Sequence, residues 1–340
     1  MSLDLNILWF ILVGVLILGW SVMDGFDYGV GGLLGFIAKN DSERRYVINS
    51  IGPVWEGNQV WLVLGGGAVF AAFPLVYASV FSGFYLAFML VLWLIIFRAI
   101  SFEFRSRVSS TSWRGFWDAS ITVTGLGLSL LFGVALANII MGIPLNAQHV
   151  DYQSLFSLLN IFAIVGGLVS LSMFMMHGSA YLVMRAEGEI QERARSFALA
   201  FGYAFVVFTV VFLLISPVFA PRLLGNSFGI AGDIVPVIML IGGAGVILTA
   251  KSRSEFLPFI FSVIGIIGAV ISIAASLFPD LVPSSINQGY SLNIYNAASN
   301  PHTLFVMLIA VLFGLPLVLI YLFYAYIKFG LKVKMDDSSY

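Results

Sequence analysis

The sequence predicts an all-α polytopic membrane protein of nine transmembrane helices. Three observations carry that prediction. Apolar residues fill 60% of the 340 positions and charged residues only 10%, against roughly 45–50% and about 25% in soluble domains. The apolar residues gather in nine runs, each long enough to cross about 30 Å of hydrocarbon, which takes about 20 helical residues. Fifteen of the sixteen Lys and Arg fall in connections on one side of those runs. A chain so poor in charge has no polar surface to turn toward water, and lipid is its solvent.

The runs cover about 7–36, 53–72, 78–98, 117–141, 158–183, 197–218, 233–250, 256–279 and 303–327. The segment Met1 to Asn6 lacks a positive n-region, and the first run exceeds signal-peptide length, so it is expected to be a retained helix. Basic residues follow every odd run: Lys39, Arg44 and Arg45; Arg98, Arg105, Arg107 and Arg114; Arg185, Arg193 and Arg195; Lys251 and Arg253; Lys328, Lys332 and Lys334. The opposite side carries only Arg222. Positive loops stay cytoplasmic, so the N-terminus is expected outside and the C-terminus inside. No soluble domain, low-complexity tract or internal repeat interrupts the runs. A net charge of −1 gives no reason to expect a nucleic-acid partner. The absence of cysteine excludes disulfides, cysteine-ligated clusters and c-type haem attachment in this chain.

An ionisable side chain inside a span is costly and is a functional candidate by default. Run 1 holds Asp24 and Asp27, and their i, i+3 spacing puts both carboxylates on one helical face. Asp24 lies about 25 Å along that helix, in its cytoplasmic half. Glu56 opens run 2 from the same side. The three acids are expected to approach one another, an arrangement suited to relaying protons. A structural reading stands beside it. Gly25 and Gly29, like Gly31 and Gly35, are small-xxx-small pairs that let helices pack closely, and the two Asp could simply hydrogen-bond a neighbour. Glu56 follows Pro53 and suits the positive end of a helix dipole.

Asn58 and Gln59 need partners inside the membrane. Trp55 and Trp61 fit interfacial anchors, although Trp61 lies far enough inside to touch a partner or cofactor edge. Gly65-Gly66-Gly67 lacks the following Gly-Lys-Ser/Thr of a phosphate loop and is expected at a close helix contact. Of the three histidines, His149 and His302 fall in connections. His177, in Met175-Met176-His177-Gly178, is a weak candidate for holding a cofactor and a better one for a satisfied polar contact. No metal site is expected.

The block Met23-Asp24-Gly25-Phe26-Asp27-Tyr28-Gly29-Val30-Gly31, followed by Asn40-Asp41-Ser42-Glu43-Arg44-Arg45, resembles subunit II of the cytochrome bd-type quinol oxidases. So do the stretch from Asn49 through Gly52-Pro53-Val54-Trp55-Glu56-Gly57-Asn58-Gln59-Val60-Trp61, Phe81-Ser82-Gly83-Phe84-Tyr85, and the stretch from Phe97-Arg98 to Arg105-Ser106. The likeness is dense over about 12–118 and thinner beyond, where Ala180-Tyr181-Leu182 and Phe278-Pro279 also fit; the length suits the shorter members, including the cyanide-insensitive branch. The resemblance implies two four-helix bundles, about 1–141 and about 158–279, a peripheral helix at 303–327 and a cytoplasmic tail at 328–340.

It further implies one subunit of a quinol:oxygen oxidoreductase, not catalytic alone, in the bacterial inner membrane. The partner, subunit I, would carry two b-type haems and one d-type haem, and the quinol-oxidising loop. Protons for water would come from the cytoplasm and generate proton motive force. Asp24, Asp27 and Glu56 match the family's acidic positions on a proton route. Trp61 matches an aromatic position linked to oxygen passage or partner contact, and Arg98, Glu103 and Arg105 match a polar cluster on the cytoplasmic side. Position 56 departs from the pattern: Glu stands where other members carry Asp, one carbon longer in reach. Small accessory subunits and a bound structural quinone occur in some relatives; no residue here marks either. The competing readings are a proton-coupled transporter, for which the internal repeat is missing, and a scaffold whose acids are purely structural.

Overall fold

The computed structural model describes residues 4–151, 153–225, 228–330 and 332–333. Lys334 and the rest of the tail to 340, and residues 1–3 at the start, lie outside the described residues. The helices are α1 (Leu5–Ile37), α2 (Asp41–Ile51), α3 (Trp55–Ala72), α4 (Pro74–Gly83), α5 (Tyr85–Phe104), α6 (Thr111–Met141), α7 (Ile161–Arg185), α8 (Gly188–Phe219), α9 (Ile230–Lys251), α10 (Leu257–Leu277) and α11 (Pro301–Phe329). A two-stranded antiparallel ribbon, β1 (Asp280–Val282) with β2 (Leu292–Asn293), lies in the connection before α11. Among the described residues, eight helices are each long and apolar enough to cross a membrane, and counting α3 and α4, bent by 117° at their junction, as one span gives nine. The protein is an all-α polytopic membrane protein, as its composition predicts.

Two elements depart from the expectation. The third run, expected at 78–98, is two helices: α4 ends at Gly83 and α5 starts at Tyr85, so the crossing lies seven residues later. Pro74 opens α4 and has no N–H to continue α3, and its ring disfavours helical backbone at Phe73. The second departure is α2, too polar to register as a span. Asn40 caps it by accepting from the Glu43 N–H at 2.9 Å, with Asp41 and Glu43 in its first turn at the positive end of the dipole.

Helix α1 is the centre of the molecule. Every residue from Asp24 to Leu34 is buried, because α3, α6, α7 and α10 all pack against it. A helix hydrophobic all round belongs in such a position. The glycine pairs make the close approach: a Cβ on Gly178 of α7 would overlap the Gly29–Val30 backbone of α1, and one on Gly125 of α6 would lie 2.6 Å from the Tyr28 carbonyl oxygen. Gly31 and Gly35 face Ile121 and Thr122 of α6. Gly65, Gly66 and Gly67 do not follow that expectation, since a Cβ on any of them would meet nothing within 4 Å. Among the described residues no helix crosses there.

Helices α7, α8, α9 and α10 pack as a closed ring of neighbours, α5 leans on α6, and α11 lies outside against α1 and α3. Among the described residues every Lys and Arg except Arg222 lies toward one end of the molecule; Arg222, at the other, pairs with Asp280. At the basic end Glu43 ties α2 to α8, pairing with Arg193 at 2.8 Å and accepting from the Lys39 N–H at 2.7 Å.

Gly178→Ala is expected to force α1 and α7 apart at a cost of about 1–3 kcal/mol, read as a lower melting temperature of the purified protein; Gly66→Ala should leave this chain's own packing untouched. The Arg193 hydrogen bond, then the Lys39 N–H, holds the Glu43 carboxyl below the usual carboxylate range. Its tie is therefore fully present above about pH 4.3, the ordinary glutamate value, and is lost as pH falls through the lower folded value. Hydrogen exchange of the α2 amides should speed up in that acidic window, and Glu43→Gln should abolish the pH dependence.

Candidate functional site

The i, i+3 spacing of Asp24 and Asp27 turns both carboxylates to the side of α1 that α3 covers and that Arg98 of α5 reaches. Arg98 is almost fully buried. Its Nη2 donates to Asp24 Oδ1 at 2.8 Å and lies 3.7 Å from Asp27 Oδ2. Asn58 of α3 donates from Nδ2 to the same Asp27 oxygen at 2.9 Å. Tyr326 of α11 donates its hydroxyl proton to Asn58 Oδ1 at 2.9 Å. The guanidinium lies over the Tyr28 ring, 4.6 Å from its centroid, and 5.9 Å from that of Trp55, and Trp20 donates to the Tyr28 hydroxyl at 3.2 Å. Two carboxylates thus share one guanidinium in a dry interior. When both are ionised, one negative charge has no counter-ion in the group, and in low dielectric such a charge is costly. Asp24 Oδ2 and Asp27 Oδ1 are buried without a hydrogen-bond partner, which leaves each acid an atom free to take a proton.

Glu56 does not join them. It is exposed on the first turn of α3, because two residues along a helix turn through about 200° and Asn58 faces inward. The expected single cluster of Arg98, Glu103 and Arg105 is divided as well. Arg98 belongs to the group just described, and Glu103 is exposed. Arg105, buried one helical turn beyond Ser101, serves a second group nearer the basic end. It holds Asp118 of α6 through Nε at 2.5 Å and Asp41 of α2 through Nη2 at 2.7 Å. Arg44 adds a contact to Asp118 at 3.2 Å and Arg114 one to Asp41 at 2.9 Å. Burial works against the Asp41 carboxylate, but the Arg105 hydrogen bond and charge outweigh it and hold Asp41 below the usual range.

Trp61 is buried against α1, its ring seated where a Gly19 side chain would be. Its Nε1 has no hydrogen-bond partner. His177 is buried between Val22 and Ser262: Nε2 lies 2.9 Å from the Val22 carbonyl and Nδ1 2.7 Å from the Ser262 hydroxyl. A carbonyl only accepts, so Nε2 carries the proton, and Nδ1 faces the Ser262 hydroxyl, which also reaches the Phe259 carbonyl at 2.7 Å. Phe259 stacks on the ring at 4.9 Å. Asp118, Tyr326 and the pairing of Arg98 with two acids were not anticipated. For Asp118 the signal was available: a lone acid about two turns into an apolar helix, close in sequence to several arginines.

Fold and site together define a helical membrane protein built round a buried carboxylate–guanidinium group. The family model for cytochrome bd terminal oxidase subunit II matches residues 5–329. Cytochrome bd-I ubiquinol oxidase subunit 2 of Escherichia coli K12 is 35% identical, over 98% of this chain and 96% of its own. Cytochrome bd ubiquinol oxidase subunit 2 of Bacillus subtilis is 33% identical, over 98% of each. The solved bd oxidase from Geobacillus thermodenitrificans shares the fold, with a TM-score of 0.78 at 17% identity over 95% of this chain and 97% of that one. The chain belongs to the cytochrome bd terminal oxidase subunit II family. It is an integral protein of a bacterial membrane and part of an oxidoreductase complex whose family carries haem.

His177, buried within a span, does not fit a haem: both its ring nitrogens face polar partners and Phe259 covers its ring. His149 hydrogen-bonds the Tyr290 carbonyl through Nδ1 at 3.0 Å, and His302 is exposed. Asp118→Asn should leave buried Arg105 short of a counter-ion and cost about 3–5 kcal/mol, measured by thermal unfolding. Asp41→Asn, at a half-exposed carboxylate, should cost markedly less.

Proposed function

We propose that this chain is the proton-handling, haem-free subunit of a bd-type terminal quinol oxidase. The observation that supports this is the buried pair of carboxylates on a single guanidinium: an odd acid without a counter-ion changes its protonation at little structural cost, since Arg98 stays paired either way. Asp24 and Asp27 take up protons from the basic end and pass them toward the partner. Glu56, on the outer surface of α3, does not extend their hydrogen-bonded group; it serves at the surface of this chain, where a carboxylate facing lipid would be costly and a partner subunit would shelter it. Trp61, fixed on Gly19, shapes the packing beside this face.

In this reading subunit I holds two b-type haems and one d-type haem, which supply the electron transfer from quinol to dioxygen. Arg98 holds the Asp24 carboxylate in place, Asn58 orients Asp27, and Arg105 clamps α2 and α6 so that the connection after α1 stays closed over the group. The excess of Lys and Arg at one end places the C-terminus in the cytoplasm and the N-terminus outside, so protons enter from the cytoplasmic side and turnover builds proton motive force. The ring of α7 to α10 supports a division into bundles at about 1–141 and 158–279, with α11 peripheral.

The test is oxygen-linked proton uptake by the intact complex in proteoliposomes. Asp27→Asn is expected to lower uptake and turnover at least tenfold while the optical bands of both haem types persist. Glu56→Gln should lower uptake less. Normal uptake in Asp27→Asn, with the complex assembled, would leave the acids a supporting role only. Complexes prepared without a d-type haem band would remove the d-type haem from this reading.

A further inference from the structure

A cavity of about 250 Å³ opens at the basic end between α1, α7, α10 and α11. Val22, Met23, Phe26, Met184 and Phe259 give it an apolar and aromatic wall. The two tyrosines on it are already engaged: Tyr181 donates to the Ser50 carbonyl at 2.9 Å and Tyr326 to Asn58. A space so lined stays dry and takes apolar groups rather than water.

One wall residue breaks the pattern. Arg185, the last residue of α7, is only 5% exposed. Its Nη1 donates to the Gly330 carbonyl and its guanidinium lies 5.7 Å from the Tyr181 ring centroid. Nε is buried with no hydrogen-bond partner, and among the described residues no carboxylate comes within 4 Å of it. Lys332 pairs with Glu255 at 3.0 Å and Arg193 with Glu43, while Glu187, two residues on, is exposed and forms no ion pair with Arg185 within 4 Å. A guanidinium withdrawn from water without an anion is costly, whereas phosphate matches its planar donors.

We propose that this cavity binds an anionic phospholipid, with its phosphate on Arg185 and an acyl-chain segment between Phe26, Met184 and Phe259. Charge and position single out this occupant. The cation sits at the helix end, at headgroup depth, and the apolar space runs from it toward the hydrocarbon. A neutral amphiphile would fill the space and leave Arg185 uncompensated. The site closes over the C-terminal end of α11 through Gly330, so bound lipid holds that end against α7. It is independent of whether Asp27 carries protons.

The test uses the whole complex, stripped of lipid in detergent and titrated with phosphatidylglycerol, phosphatidylcholine or oleate, with native mass spectrometry and thermal unfolding as readouts. Phosphatidylglycerol is expected to be retained at least tenfold better than phosphatidylcholine, and to raise the melting temperature. Arg185→Gln should abolish that preference, and Met184→Trp should lower retention of phosphatidylglycerol while the charge remains. Equal retention of both phospholipids, an unchanged preference in Arg185→Gln, or a preference for oleate would each overturn the assignment. Arg185→Lys keeps the charge, and partial recovery with it would separate lost binding from misfolding.

Discussion

One guanidinium holding two acids in a medium without water is the constraint from which the rest of the architecture follows. Arg98 cannot be exposed to lipid, because neither hydrocarbon nor an apolar helix face can stabilise its charge. It must reach α1, although the body of α5 leans on α6, and its long side chain spans the distance. That requires α1 to be surrounded, and the glycines at 29, 125 and 178 let the neighbours come close enough to exclude water. The small residues and the charges are thus two parts of one arrangement. Tight packing lowers the local dielectric, and the low dielectric makes the exact number of positive and negative groups matter.

The second charged group works differently. Arg105 has two carboxylates, but Asp41 is half exposed and Arg44 and Arg114 add positive charge of their own. There the acids are over-compensated, and the result is a clamp joining α2 to the α5–α6 turn. One group is poor in counter-ions and deep; the other is rich in them and near the surface. A buried acid lacking a full counter-charge suits proton exchange, while a saturated network suits rigidity.

Much of this was legible in the residues. Span number, the single-ended distribution of Lys and Arg, and the pairing of Asp24 with Asp27 follow from hydropathy, loop charge and helical spacing. What stayed hidden needed either rotation or distance. Glu56 could have been placed outward by noting that Asn58, two residues on, is the better inward partner for Asp27; proximity in sequence concealed that. Arg98 and Arg105 are seven residues apart and on similar faces of one helix, yet the helix axis carries them to different depths and different acids. The break at Pro74 was readable from proline chemistry, but apolar residues run through it and hydropathy alone joins the pieces. For Gly65 to Gly67, small size suggests a helix crossing, yet among the described residues their surface is bare.

Helix α11 touches the rest of the protein along little of its length, yet it is fastened near both ends. Trp9 of α1 donates to the Leu304 carbonyl at 3.0 Å, and Tyr326 fixes Asn58. A helix that follows all the others described therefore supplies the hydroxyl that orients the amide on Asp27. Until α11 is in place, the earlier helices hold that amide unanchored. Completion of the polar centre thus waits on α11, and a product truncated before that helix would carry its acids in an unfinished setting.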